Sequence, residues 1–467
     1  MINGIEWIVC VSRVRVKGIE CDMLAETTMK CAALILLSVP GWAGVTFTKD
    51  VAPIFFKNCV QCHRPNDIAP MSLLDYKSAR PWAKAIRQSV ASAKMPPWFA
   101  DPKYGHFSND PRLAASEVAV IKAWVDGGAM EGNPQDLPQA PKFVEGWQLG
   151  KPDLIVDIGE DHKITPGEDV YEHFTVDTNF KEGIWIRAAE IKPGNRQVVH
   201  HVHVLEVVAD LKAMEVASTT NSPALAKFLV REGKLTRIRA DAPVVNDACA
   251  TGLPDLPFLH GSQEGALASF LPGRAPDVFE PGTAKWVPAG AKLEFVIHYA
   301  RTPAKDQTDR TSVGFYLAPG PPKRVLRRMD LRNFFMQIPA DAANHEVKRC
   351  YEFEKDKLLL SFTAHMHYRG KDITYELIRP NGKREVLLAV PRYDFNWQLV
   401  YRLEKPVFVE KGSRLIVTAH YDNSPNNRAN PDSKLVIRWG DKSEEEMMTS
   451  WIEYLDATPA SSAAVSH

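Results

Sequence analysis

Two sets of residues in this chain can do chemistry. The first is Cys59-Val60-Gln61-Cys62-His63. Cys-x-x-Cys-His is the spacing at which two thiols bond covalently to a haem edge, and the histidine that follows at once is held to ligate the iron. One covalent haem c is therefore expected. A redox or zinc Cys-x-x-Cys that happens to precede a histidine is the plainer reading. A zinc site needs a second cysteine pair, and the seven cysteines provide none. For the opposite face of the iron, Met95 in Lys94-Met95-Pro96-Pro97-Trp98 is expected, because two prolines stiffen its loop. Met71 is the rival, but it follows His63 too closely to cross easily to the other haem face. Met95 as mere packing is the plain alternative. A His–Met pair raises the potential and suits electron transfer rather than oxygen binding.

The second set is histidines inside expected strands. They fall in Val199-His200-His201-Val202-His203, in Phe295-Val296-Ile297-His298-Tyr299, and in Ala364-His365-Met366-His367-Tyr368. Imidazole ligates copper, iron, zinc and nickel. On a strand, positions i and i+2 share a face, so His365 and His367 can hold one metal together. The same alternation pairs His201 with His203 and turns His200 away. A lone strand histidine such as His298 is more often a hydrogen-bonded core residue, but three such stretches together weigh toward metal. Near the end comes Glu444-Glu445-Glu446-Met447-Met448. An acidic turn is its plain reading, yet thioether with imidazole is a copper combination and a poor zinc one. His106, His162, His173, His260, His345 and His420 read as surface or packing residues.

These residues, in this order across roughly 160–456, resemble the copper type II, ascorbate-dependent monooxygenases, the family of peptidylglycine α-hydroxylating monooxygenase and dopamine β-monooxygenase. His200-His201 resembles the family's His-His pair, and His298 in Leu293–Tyr299 resembles the third histidine of the same copper. His365-Met366-His367 resembles the His-x-His of the second copper, and Glu446-Met447 the Glu-Met that supplies its methionine. Ile338-Pro339-Ala340 also sits at a family-like distance ahead of His365. The resemblance implies two β-sandwiches, one copper in each, facing across a solvent-filled cleft. One copper, on His200, His201 and His298, stores and passes an electron. The other, on His365, His367 and Met447, binds oxygen and hydroxylates a C–H bond. Pairing His200 with His201 needs a bulge or strand end there, with His203 left beside the site. Met447 is preferred to Met448 because strand neighbours face opposite ways.

The resemblance also has departures. Thr363 stands where the family carries the arginine that grips a peptide carboxylate, and Thr449 and Trp451 stand where it carries an asparagine and a tyrosine. A peptide C-terminus is thus not expected as substrate, and a less polar pocket for a small or aromatic compound is. The implied partners are a small organic molecule, O2 and an external electron donor, either ascorbate or a redox protein. A tethered haem can also pass electrons to the three-histidine copper, since tethering gives an effective concentration of roughly millimolar.

The elements that must position these residues follow from pattern. The class expected is multidomain, a small all-α cytochrome c domain followed by two all-β jelly-roll-like sandwiches. Residues 1–28 look like neither signal nor domain, so Met29 reads as the true start. Residues 29–43 read as a Sec-type signal, with a basic start, the apolar run Cys31–Pro40 and a small-x-small site at Ala43. This places the protein in the bacterial periplasm or outside the cell. Residues 45–135 form the haem domain, with Thr48 able to cap a helix carrying Val51, Ile54 and Phe55. A closing helix carries Val118, Ile121, Trp124 and Val125 and stops at Gly127-Gly128. Residues 136–152 are a linker rich in Pro, Gly and Gln.

The sandwiches span 153–328 and 329–457, with a tail at 458–467. Their short runs include Ile184–Ile191, Gln197–Val208, Lys292–Ala300, Lys357–His367, Arg414–Tyr421, Lys434–Trp439 and Thr449–Tyr454. Cys249 and Cys350 remain outside the haem motif in the mature chain, and the sequence weighs against their pairing without deciding it. The formal net charge is zero, which points to no nucleic-acid or anionic-membrane partner. No internal apolar run is long enough to span a bilayer. N-terminal sequencing of the exported protein is expected to begin at Gly44; a mature chain that retains residues 1–28 overturns the reading of Met29 as the start.

Overall fold

The computed structural model describes residues 44–167, 169–207, 229–232, 235–251, 266–300 and 306–457. The early start, the signal segment, the tail and His260 lie outside the described residues. Helix α1 (Ala52–Asn58) continues from a π-turn at Phe47–Val51, and α2 (Tyr76–Ala79), α3 (Ala83–Ala91) and α4 (Ala115–Asp126) follow. Val51, Phe55, Ile121 and Trp124 are wholly buried, as their helical spacing requires. Trp124 is the hub, with its ring 5.9 Å from Phe47 and 6.4 Å from Phe55. Thr48 does not cap. It is buried inside the π-turn, and its hydroxyl donates to Glu131 O at 3.1 Å. The Glu117 side chain instead accepts from Ala114 N–H at 2.8 Å and starts α4.

The β region is two pairs of sheets. In the first, a sheet built on Leu154–Asp157, Ile184–Lys192, Thr283–Val287 and Ser312–Leu317 faces a four-stranded sheet. The strands of that second sheet are β1 (Val170–Asp177), β2 (Val199–Val207), β3 (Ala266–Phe270) and β4 (Lys292–Tyr299), in the order β1-β4-β2-β3. Alternate residues Val202, Val204, Phe295 and Ile297 meet Ile186, Ala189, Val313 and Phe315 in one core. In the second pair, β5 (Arg327–Arg332), β6 (Lys357–His365), β7 (Val400–Val409) and β8 (Thr449–Asp456) pair in the order β5-β8-β6-β7. They face a sheet of His345–Glu352, Gly370–Ile378, Arg384–Val390 and Arg414–Tyr421. Phe362, Ala364 and Ile452 pack there against Ile373, Tyr375 and Val417.

Three boundaries differ from expectation. Residues 98–110 leave the helical region and join the second sandwich. Asp101 N–H donates to Ala389 O at 2.8 Å, Ser108 N–H to Arg402 O at 2.9 Å, and the Trp98 ring lies 4.9 Å from Tyr401. Residues 238–248 cross from the first sandwich to the second, where Ile238 N–H meets Trp439 O at 3.2 Å and Val245 N–H meets Phe335 O at 2.8 Å. This crossing also corrects the cysteines. Lys348 N–H bonds Asn246 O at 2.6 Å, and the two segments run close enough for Cys249 and Cys350 to join in a disulfide with Cα atoms 5.0 Å apart. A disulfide is consistent with an extracellular protein. Finally, the expected strand Lys434–Trp439 shrinks to Ile437–Arg438. Among the described residues no helix is long and apolar enough to cross a membrane.

The outward face of the β1–β4 sheet packs on the outward face of the β5–β8 sheet. His203 of β2 lies 5.5 Å from Trp451 of β8. Beside it Lys285 Nζ, from Thr283–Val287 of the other sheet, reaches Glu453 Oε1 on β8 at 2.8 Å, and Ser361 Oγ on β6 donates to Glu453 Oε2 at 2.9 Å. Asp277 pairs with Arg402 of β7 and with Arg274. Burial by itself raises the Glu453 carboxyl, but Lys285 and Arg402 outweigh it and hold the group at about 2. Its folded value lies below the ordinary 4.5, so its stabilisation is full above that pH and is lost as pH falls through about 2. Urea midpoints are expected to fall across that window, and Glu453→Gln is expected to flatten the fall while costing about 3 kcal/mol near neutral pH by leaving Lys285 unpaired.

Candidate metal centre

Strand β2 carries two adjacent histidines, and the pleat alone would send them to opposite faces. A β-bulge prevents this. β2 pairs with β4 so that His201 lies opposite His298 and Val199 opposite Tyr299, leaving His200 as the extra residue. His200, His201 and His298 then converge, with one ligand atom of each within 4.8 Å of the others. Their Nδ1 atoms lie 3.3 Å apart for His200 and His201, and 3.4 Å apart for His298 and His201. Asp169 Oδ2 sits 3.2 Å from His298 Nε2, where the carboxylate accepts from Nε2–H and the Nδ1 lone pair is left facing the cluster. The Tyr171 ring stacks on His298 at 4.4 Å. Burial, then the charge of His298, pushes His200 down to about 4 and His201 well below its ordinary value. Both stay neutral, which is the form that binds metal.

His203 shares the face of His201 but not the cluster. Its Nδ1 is 3.1 Å from Ser269 Oγ on β3, and its buried Nε2 has no hydrogen-bond partner. Burial holds it at about 3.

The second cluster lies across the interface. His365 ends β6 and His367 follows in the turn, their rings 5.2 Å apart and nearly perpendicular. Gln398 Oε1 is 2.6 Å from His365 Nδ1, and Glu445 O is 3.4 Å from His367 Nδ1. Glu446 ties this turn to the run before β8. Its carboxylate accepts from the N–H groups of His367 and Arg369 at 2.9 Å and of Met447 at 3.0 Å. Burial raises it to about 7, and those three N–H groups counteract only part of the rise. Met448 is fully buried in the core of the second sandwich, and Met447 lines the cavity with His365 and His367. The donor set of two imidazoles and one thioether fits copper.

That cavity holds only about 100 Å³. The expected solvent-filled cleft is therefore replaced by close sheet packing. Trp451 of β8 fills the gap, its ring 5.5 Å from His203 and stacked on His365 at 5.2 Å. The sequence reading missed the loop Tyr393-Asp394-Phe395-Asn396-Trp397-Gln398, which reaches both clusters. Trp397 lies 5.5 Å from His200, and Phe395 lies 5.7 Å from His367 and 5.5 Å from Tyr171. Its density of aromatic residues in a loop was the available signal.

At the haem motif, Cys59 and Cys62 are free thiols that burial pushes up to about 12, and His63 follows on the same turn. His63 Nδ1 is 3.3 Å from Met71 O, so the backbone carbonyl of Met71 meets the ring at Nδ1 and not at Nε2. Two free thiols beside an imidazole so oriented fit a covalent haem. Met95 lies in a separate turn after α3, its N–H bonded to Ser89 O at 3.2 Å. Among the other histidines, His173 meets Glu294 at 3.1 Å, His162 stacks on Tyr299 at 5.5 Å, and His420 meets Asp372 at 2.6 Å.

Residues 329–465 match the family model of the copper type II ascorbate-dependent monooxygenase, C-terminal domain. The match supports that family and a copper-dependent oxidoreductase. No curated protein matches the chain. Among solved structures, the major capsid protein P2 of bacteriophage PM2 is 10% identical over 64% of this chain and 97% of that one, with a TM-score of 0.21. PNGF-II is 9% identical over 64% and 65%, with a TM-score of 0.25. Likenesses this slight carry no argument. The expected outcome for His298→Ala is at least a tenfold loss of copper affinity at the bulge cluster, measured by competition with a chromogenic chelator; His345→Ala is expected to leave it unchanged.

Proposed function

We propose that the chain is an exported haem- and copper-containing monooxygenase that hydroxylates an organic C–H bond with O2. The reaction balances as R–H, O2, two electrons and two protons giving R–OH and water. A one-electron donor, ascorbate or a redox protein, provides the electrons. The carrying observation is the pair of histidine clusters on two packed sheets, the second of them inside the matched segment. His200, His201 and His298 would hold one copper, and His365, His367 and Met447 the other. Bound copper supplies oxygen activation and one-electron chemistry. The chain's own part is to hold and shield. Asp169 sets the His298 tautomer, Gln398 orients His365, and Trp451, Phe395 and Tyr171 keep water from the small cavity between the clusters.

A small all-α cytochrome c domain would hold one haem c on Cys59 and Cys62, with His63 and Met95 as axial ligands, and the two sandwiches would be jelly-roll-like. An electron relay from this haem toward the three-histidine centre is supported by contact. Gly273 lies so close to Cys62 that a Cβ there would sit 2.9 Å from Sγ. Its loop continues from β3, whose Ser269 bonds His203. The disulfide agrees with a periplasmic or secreted location.

The test is metal analysis, electron paramagnetic resonance and oxygen uptake on the haem-loaded protein. Two coppers per chain, with nitrogen and sulfur ligation, are expected. Absence of copper overturns the reading, and copper without substrate-dependent oxygen uptake leaves a haem and copper electron carrier. His63→Ala is expected to slow turnover with an external cytochrome donor, and unchanged turnover removes the relay.

A further inference from the structure

An open crevice of about 680 Å³ runs from the surface down to His367. That size is ordinary for a small-molecule site. One wall is the turn after α3, with Lys94 and Phe99. The other is the loop around Arg392 and Tyr368. His367 and Phe395 form the floor, and both also border the enclosed cavity between the clusters. The crevice thus meets the second centre at His367.

Its charge is positive on balance. Lys94, Lys371, Arg392 and Arg428 line it against the carboxylates of Asp394 and Asp422. Asp394 accepts from Asn396 at 3.0 Å, Asp422 accepts from Ser424 N–H at 2.9 Å, and Lys371 donates to Asn344 at 2.7 Å. Lys94, Arg392 and Arg428 are exposed and have no ion-pair partner among the described residues. In a chain of zero formal net charge, an excess of cations around one aromatic-walled opening selects for anions there.

We propose that this crevice is the substrate site of the second centre and that it takes a ring-bearing carboxylate. The ring lies against Phe99 and Phe395, and the carboxylate sits among Lys94, Arg392 and Arg428. The helical region is then a wall of the substrate site as well as a haem carrier. Phe395 holds the bound ring at the His367 edge, and the closed cavity behind it stays free for a molecule the size of O2. This inference rests on the reading of His365, His367 and Met447 as a copper centre.

The experiment is calorimetric titration of the full chain, with and without copper, using benzoate, its neutral isostere benzamide and the cation benzylamine. Benzoate is expected to bind about tenfold tighter than benzamide, with benzylamine weakest. The double variant Lys94→Glu with Arg392→Glu is expected to abolish the preference and leave the copper content unchanged, since both side chains are exposed. Phe99→Ala is expected to weaken benzoate and benzamide alike. Equal binding of benzoate and benzamide, or a benzoate affinity untouched by the double variant, overturns the crevice assignment. Copper counted in the same samples separates the two readings: benzoate selectivity without copper overturns the metal centre and with it the substrate role, leaving an anion-binding crevice, and copper without selectivity overturns only the crevice.

Discussion

A half-buried carboxylate at the contact between the two sandwiches sets the geometry on which both histidine clusters depend. Glu453 projects from β8 toward the first sandwich and meets Lys285 there, while Ser361 of its own sheet holds its second oxygen. Arg402 and Asp277 repeat the arrangement a short way along the interface. Lys285 and Asp277 are buried, and each is tolerable only while its partner stays in reach. Hydrophobic faces can slide over one another at little cost; a buried ion pair cannot. The sheets therefore have one register, and in it Trp451 stands between His203 and His365. The small cavity follows from the same constraint.

Inside that frame, two local devices aim the side chains. The bulge at His200 inserts one residue into β2 and turns two consecutive imidazoles toward His298. Glu446 does the equivalent work in the second sandwich. By taking three backbone N–H groups from two separate segments, it brings the turn holding His367 beside the run before β8 that holds Met447. Three donors offset part of what burial costs this carboxyl, so a polar group in the core acts as a splice between segments far apart in the chain.

The same economy of crossing segments explains why the domains are not separable along the chain. Residues 98–110 and 238–248 each leave the body in which the chain order places them and pack against the second sandwich, the latter pinned by the Cys249–Cys350 disulfide. A helical region anchored this way has a fixed relation to the crevice above His367. Its Gly273 contact at Cys62 and the Asp67–Arg196 pair at 3.9 Å hold it equally to the first sandwich.

What could be read from residues alone was whatever the covalent chain imposes at short range. Cys59, Cys62 and His63 share one turn because their spacing leaves little else. Helical periodicity buries Val51, Phe55, Ile121 and Trp124 together, whereas Met447 and Met448 part in the run before β8, ahead of any pleat. Nearly every strand expected around a histidine is present. The orientation of His200 was a different matter, because strand alternation favoured His203 while the family resemblance favoured His200 through a bulge, and the register against β4 turns His200 inward. The pairing of Cys249 with Cys350, the reach of Phe395, Trp397 and Gln398 into both clusters, and the closing of the cleft were decided in the tertiary structure. Those depend on which distant segments share a surface, and that is settled by packing and buried charge across the interface rather than by any pattern within a strand or helix.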